Sequence, residues 1–136
     1  MGDTSWEVNS YHLNMKKFYL IFASLAVTPI ALLYGIAPDW FARTFLGMPQ
    51  INLSLVHIFR AITGLYLALG LFWLYAAFKP EWHRVAVLTT IVFSGGLVVG
   101  RLLSVLVDGF PSPILIFYLV VELALVPIAI WVLRRP

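Results

Sequence analysis

Three ionisable residues stand inside long apolar runs: Arg60, Arg101 and Glu122, with His57 one helical turn before Arg60. A charge facing lipid at mid-helix costs at least about 2.5–3.5 kcal/mol on insertion scales. Such groups therefore turn inward, pair with one another, and mark ligand, ion or proton sites by default. An arginine presents a rigid fork of donors to a carboxylate, a headgroup or a polarised carbonyl. A glutamate can pair with that fork or carry a proton, and a histidine can do acid–base work or simply hydrogen-bond.

Helical spacing sorts these residues onto faces. His57, Arg60 and Gly64 fall at i, i+3 and i+7; Arg101, Ser104 and Asp108 repeat the spacing; Tyr118 and Glu122 are i and i+4. The candidate polar or ligand-binding cluster is accordingly His57, Arg60, Arg101, Ser104, Asp108 and Glu122. Two arginines against one glutamate leave a positive charge over. Asp108 could balance it from the membrane edge and close a neutral cluster. If Asp108 is instead solvated, a surplus cation remains to attract an anionic headgroup, a carboxylate or a quinone carbonyl. The same residues also suit a structural role, in which an Arg–Glu pair fixes which helices meet and in what register.

The elements that must position these residues are membrane helices. Of 136 residues, 62 % are hydrophobic and 11 % charged, against about a quarter charged in a soluble domain. An all-α, polytopic four-helix bundle is predicted, with spans over 18–36, 53–78, 85–107 and 113–133, each near the roughly 20 residues that cross the hydrocarbon. Residues 1–17 read as a polar tail, and 18–135 as one transmembrane domain. Pro29 and Pro127 sit inside spans, where a bundle tolerates them. Trp40, Phe41 and Phe45 suit a short interfacial helix, Asn52 is an N-cap candidate, and 108–111 a tight turn. Gly96-x-x-x-Gly100, with Gly64 and Ala68, predicts close packing of the second and third spans.

Several functions are excluded or disfavoured. There is no cysteine, hence no disulfide, thiolate metal site or cysteine nucleophile. No P-loop, dinucleotide fingerprint or hydrolase triad is present. His12, His57 and His83 fall in a tail, a span and the opposite loop, so no metal site is expected. No basic stretch exceeds two residues, which argues against nucleic-acid binding. Trp6 fails the myristoylation pattern, and Met15-Lys16-Lys17 before the first span is read as an uncleaved start.

The stretch His57-Ile58-Phe59-Arg60-Ala61-Ile62-Thr63-Gly64-Leu65-Tyr66-Leu67 resembles the second-helix pattern of a family known as domain of unknown function 4345. So do Gly100-Arg101-Leu102-Leu103-Ser104, then Asp108-Gly109-Phe110-Pro111-Ser112, then Glu122-Leu123. The likeness covers about 18–133 and implies a small four-helix membrane protein of the bacterial inner membrane. It implies signature positions at Arg60, Gly64, Tyr66, Arg101, Ser104, Asp108, Gly109 and Glu122, and no activity. More distantly, the architecture is similar to DoxX-like membrane proteins, some of which accompany membrane oxidoreductases.

The function expected from all this is that of a non-enzymatic accessory or assembly subunit. Its partners would be membrane lipids and other membrane-protein subunits met through lateral helix faces, with a lipid or quinone as the possible occupant of the cluster. Two other classes stay open. One is a small proton-coupled transporter using Glu122, although a neighbouring arginine favours the carboxylate and opposes proton carriage. The other is a membrane enzyme using His57 or Glu122 on a lipid-soluble substrate.

Loop charge orients the bundle. An even number of spans puts both termini on one side, with Lys16, Lys17, Lys79, Arg84, Arg134 and Arg135; the other side has only Arg43, beside Asp39 and Asp108. Excess Lys and Arg marks the cytoplasmic face, so both termini are expected in the cytoplasm and the protein in the plasma membrane. Arg60 and Arg101 would lie roughly 10 Å, and Glu122 roughly 14 Å, from the opposite face. A reporter fused after Arg135 is expected to be active in the cytoplasm, and one inserted at 37–51 active outside. The converse pattern would reverse the orientation.

Overall fold

Hydrocarbon offers no hydrogen-bonding partner, so an apolar segment must satisfy its own backbone, and a helix does so within one segment. The computed structural model describes residues 5–135 and follows this rule. Its helices are α1 (Ser5–Ile36), α2 (Pro38–Phe45), α3 (Leu53–Ala77), α4 (His83–Asp108) and α5 (Pro113–Leu133), with a 3₁₀ turn at Pro80–Trp82. Four of them, all but α2, are long and apolar enough to cross a membrane. The protein is a multi-pass helical membrane bundle.

The last three spans begin and end within two residues of their predicted limits. The first does not: the expected tail of 1–17 is helical from Ser5 onward, and its residues 1–4 lie outside the described residues. Nothing between Ser5 and Phe18 breaks a helix, since the stretch holds neither Gly nor Pro. Its end also packs, with the Lys17 ammonium 4.9 Å from the centre of the Phe78 ring at the far end of α3. Asn52 caps α3 as expected, its side chain accepting from the Leu55 N–H at 2.8 Å.

Helix α1 is the hub. Leu20, Ala23 and Ala31 are buried completely or nearly so, and α1 packs along α3 while also touching α4 and α5. Polar groups pin it within the apolar interior. Tyr19 and Thr90 share a hydroxyl hydrogen bond of 2.8 Å, and the Thr63 hydroxyl donates to the Ala31 carbonyl at 2.9 Å. Gly35 makes that α1–α3 crossing possible, because a Cβ there would fall 2.5 Å from Thr63 Cγ2.

Among the described residues, helices α3 and α4 touch along the half of their length nearer the connection that joins them. There Trp73 Nε1 donates to Thr89 Oγ1 at 3.0 Å, and the Phe93 ring sits 4.9 Å from Tyr66 and 5.6 Å from Trp73. Beyond Phe93 the two helices part. The close approach expected at Gly64, Gly96 and Gly100 is absent within the chain, where an added Cβ would meet nothing within 4 Å at any of the three. Two features account for this. The face of α3 bearing Thr63 and Gly70 is already taken by α1, and α4 finds its main partner in α5. Gly35→Leu is expected to cost about 1–3 kcal/mol through overpacking, whereas Gly64→Ala should stay within about 0.5 kcal/mol. Thermal unfolding in detergent reads both, and equal midpoints would remove Gly35 as the crossing point.

Candidate functional site

Antiparallel helices bring residues level when they lie at similar distances from the connecting turn. Arg101 precedes the end of α4 by seven residues, and Glu122 follows the start of α5 by nine. The turn between them needs Gly109, whose φ of 96° is a backbone conformation side-chain-bearing residues rarely adopt. The result is an ion pair: Arg101 Nε donates to Glu122 Oε2 at 2.8 Å, and Nη2 donates to Oε1 at 3.3 Å. The guanidinium thus grips both carboxylate oxygens, the geometry that gives Arg–carboxylate pairs their strength. Glu122 is the more hidden partner, with its side chain 8 % exposed against 21 % for Arg101.

Aromatic rings surround this pair. The guanidinium lies 5.9 Å from the centre of the Tyr118 ring, and Tyr34 packs against Phe41, Phe59 and Tyr118. The short helix α2 closes this end of the bundle by inserting Phe41, which is wholly buried, while Trp40 faces outward. The predicted interfacial helix therefore exists, but one of its aromatics belongs to the core. The Tyr118 hydroxyl is buried without a hydrogen-bond partner among the described residues.

Where α3 and α4 diverge, a cleft of about 560 Å³ opens above Arg101. Phe59, Ile62, Phe93 and Leu97 line its apolar walls, and Arg101, Tyr34 and Tyr66 supply its polar groups. Leu65, Gly96 and Gly100, also in its lining, are exposed on the bundle surface, so the mouth opens on the side of the bundle between α3 and α4. On the other side of Arg101 a smaller cavity of about 80 Å³ is lined by Ser104, Pro111 and Leu119.

Only part of the predicted cluster comes together. Arg101 and Glu122 meet. Ser104 donates to Asp108 Oδ2 at 2.9 Å on the exposed end of α4, so Asp108 is occupied there and Glu122 alone balances Arg101. His57 and Arg60 are exposed on α3 and join neither. The inward stripe of α3 is Phe59, Tyr66, Gly70 and Trp73, which turns 57, 60 and 64 toward the outside. Tyr34 was not foreseen, because a lone tyrosine near a helix end carries no signal of its own.

These positions lie inside a recognisable sequence pattern. Residues 15–133 match the family described as domain of unknown function (DUF4345). The chain belongs to that family. No curated protein and no solved structure matches it, and the more distant likeness to DoxX-like proteins gains no support. The matched span contains Arg101, Glu122 and every residue named in the cleft.

Removing one partner of a buried ion pair leaves an uncompensated charge, at a cost of about 3–5 kcal/mol. Arg101→Glu and Glu122→Arg are each expected to abolish accumulation in membranes, and the double swap to restore it. Single variants that accumulate like the parent would show that the pair does not hold α4 to α5.

Proposed function

We propose that the protein is a non-enzymatic integral membrane protein that holds a lipid-soluble ligand, such as a lipid or quinone, in the cleft above Arg101. We propose further that it serves as an accessory subunit of a larger complex in the plasma membrane. The observation that carries this reading is the laterally open cleft. Its volume of about 560 Å³ is in the range of small-molecule sites, and apolar walls with a few placed polar groups are their usual make-up. A ligand dissolved in the bilayer enters it without crossing water.

The side chains facing the cleft favour binding over chemistry. They include a guanidinium and two phenols, but no carboxylate, imidazole or aliphatic hydroxyl. His57 points away, and Glu122 stands behind Arg101 with both oxygens engaged. This arrangement disfavours both an acid–base enzyme and a carrier that loads a proton on Glu122.

Arg60 supports the accessory role. It is exposed on α3, about 10 Å from the helix start, and has no acidic partner among the described residues. Gly64 and Ala68, also exposed on α3, let another backbone approach closely. A partner helix with a carboxylate at the same depth would satisfy the guanidinium. Extraction in mild detergent is expected to yield a complex larger than the monomer. Arg60→Leu should accumulate normally yet migrate as the lone chain. A parent protein that is itself only monomeric would overturn the accessory role.

A further inference from the structure

Within the cleft, the ion pair exposes its donor and hides its acceptor. Arg101 lines the cavity and Glu122 does not. The guanidinium directs Nε and Nη2 at the carboxylate, and the rest of its fork faces Tyr34 and Tyr66, which line the cleft beside it. Tyr34 and Tyr66 bring phenol groups, which can also donate, to the same lining. With five guanidinium N–H groups and two phenol O–H groups on this floor, donors outnumber free acceptors, which favours a ligand head that accepts hydrogen bonds.

The charge of that head follows from the balance around it. Glu122 already neutralises Arg101 at 2.8 Å, and Arg60, the other arginine within a span, faces outward. The cleft holds no surplus cation. An anion bound there would add a net negative charge to a low-dielectric site, within a few ångströms of an ionised carboxylate. A neutral acceptor incurs no such penalty and still meets donors that carry positive charge.

We propose that the cleft selects a neutral lipophile with a carbonyl head, of quinone, ketone or ester type, over a fatty-acid carboxylate or a phosphodiester. This rests on the reading that the cleft holds a ligand at all. The carbonyl accepts from Arg101 and a tyrosine, the adjoining ring or chain lies between Phe59 and Phe93, and the tail leaves between Leu65 and Gly96.

A matched pair of probes tests it: a diazirine-bearing palmitate methyl ester and the corresponding free acid, in mildly alkaline buffer. Each is photo-crosslinked to the full chain in nanodiscs of zwitterionic lipid, and the labelled residues are mapped by mass spectrometry. The ester is expected to label Leu65, Phe93 and Leu97 about tenfold more than the acid does. Glu122→Gln leaves Arg101 uncompensated and should reverse that preference. If this variant fails to accumulate, the parent comparison still decides. Equal or stronger labelling by the acid in the parent overturns the neutral-head proposal while leaving the cleft as a binding site. Labelling of the cleft no stronger than that of the exposed Val92 and Leu106 overturns the binding reading itself.

Discussion

A carboxylate in the apolar half-thickness of a membrane has no water to turn to, and Glu122 is acceptable there only because Arg101 reaches it. The constraint runs in both directions, since the guanidinium is equally costly without the acid. Pairing them fixes the rotation of α4 and α5 about their axes and their relative height. A short turn at 109–112, with Gly109 at a φ of 96°, keeps the two residues level. The aromatic cluster of Tyr34, Phe41, Phe59 and Tyr118 then fills the space between this pair and the end of the bundle. Phe41 of α2 closes that end over Tyr34 and Phe59, and a small cavity lined by Ser104 and Pro111 is left between the turn and Arg101.

The cleft follows from how the remaining helices share their surfaces. Helix α1 occupies the closest-packing face of α3, and the ion pair commits α4 to α5. What is left for α3 and α4 is contact near their connection, where Trp73, Thr89 and Phe93 meet. Past Phe93, Gly96 and Gly100 of α4 line an opening instead of meeting α3. Small residues that permit close approach between helices here provide width and a low rim. The same geometry leaves the donor side of the ion pair as the polar floor of the opening. On the proposed function, structure and binding are two uses of one interaction, so a structural role for the pair does not exclude a ligand beside it.

Much of this was legible in the sequence. Apolar run length gives the four spans, and the order of Arg101 and Glu122 around the 108–112 turn gives their common depth. Capping chemistry gives Asn52, and glycine with proline gives the turn. What was not legible depended on helix rotation. His57 and Arg60 share a stripe, but whether that stripe looks inward is decided by Phe59, Tyr66 and Trp73 against α1, a tertiary contact with no one-dimensional signature. Gly64, Gly96 and Gly100 carry a packing motif that does not name its partner. The polar composition of residues 5–17 suggests a tail and carries no sign that this stretch continues the helix of the first span. His83 looked like a loop residue, yet it is buried and its Nε2 bonds the Ala77 carbonyl at 3.1 Å, tying the end of α3 to the start of α4.

The central claim is that α3 and α4 stand apart above a paired Arg101 to admit a molecule from the bilayer. A crystal structure of the full chain grown from a lipid phase tests it most directly. Arg101 and Glu122 are expected at hydrogen-bonding distance, with elongated density between Phe59 and Phe93 that ends at the guanidinium. Helices α3 and α4 closed on each other along Gly64, Gly96 and Gly100, with no space above Arg101, would contradict it.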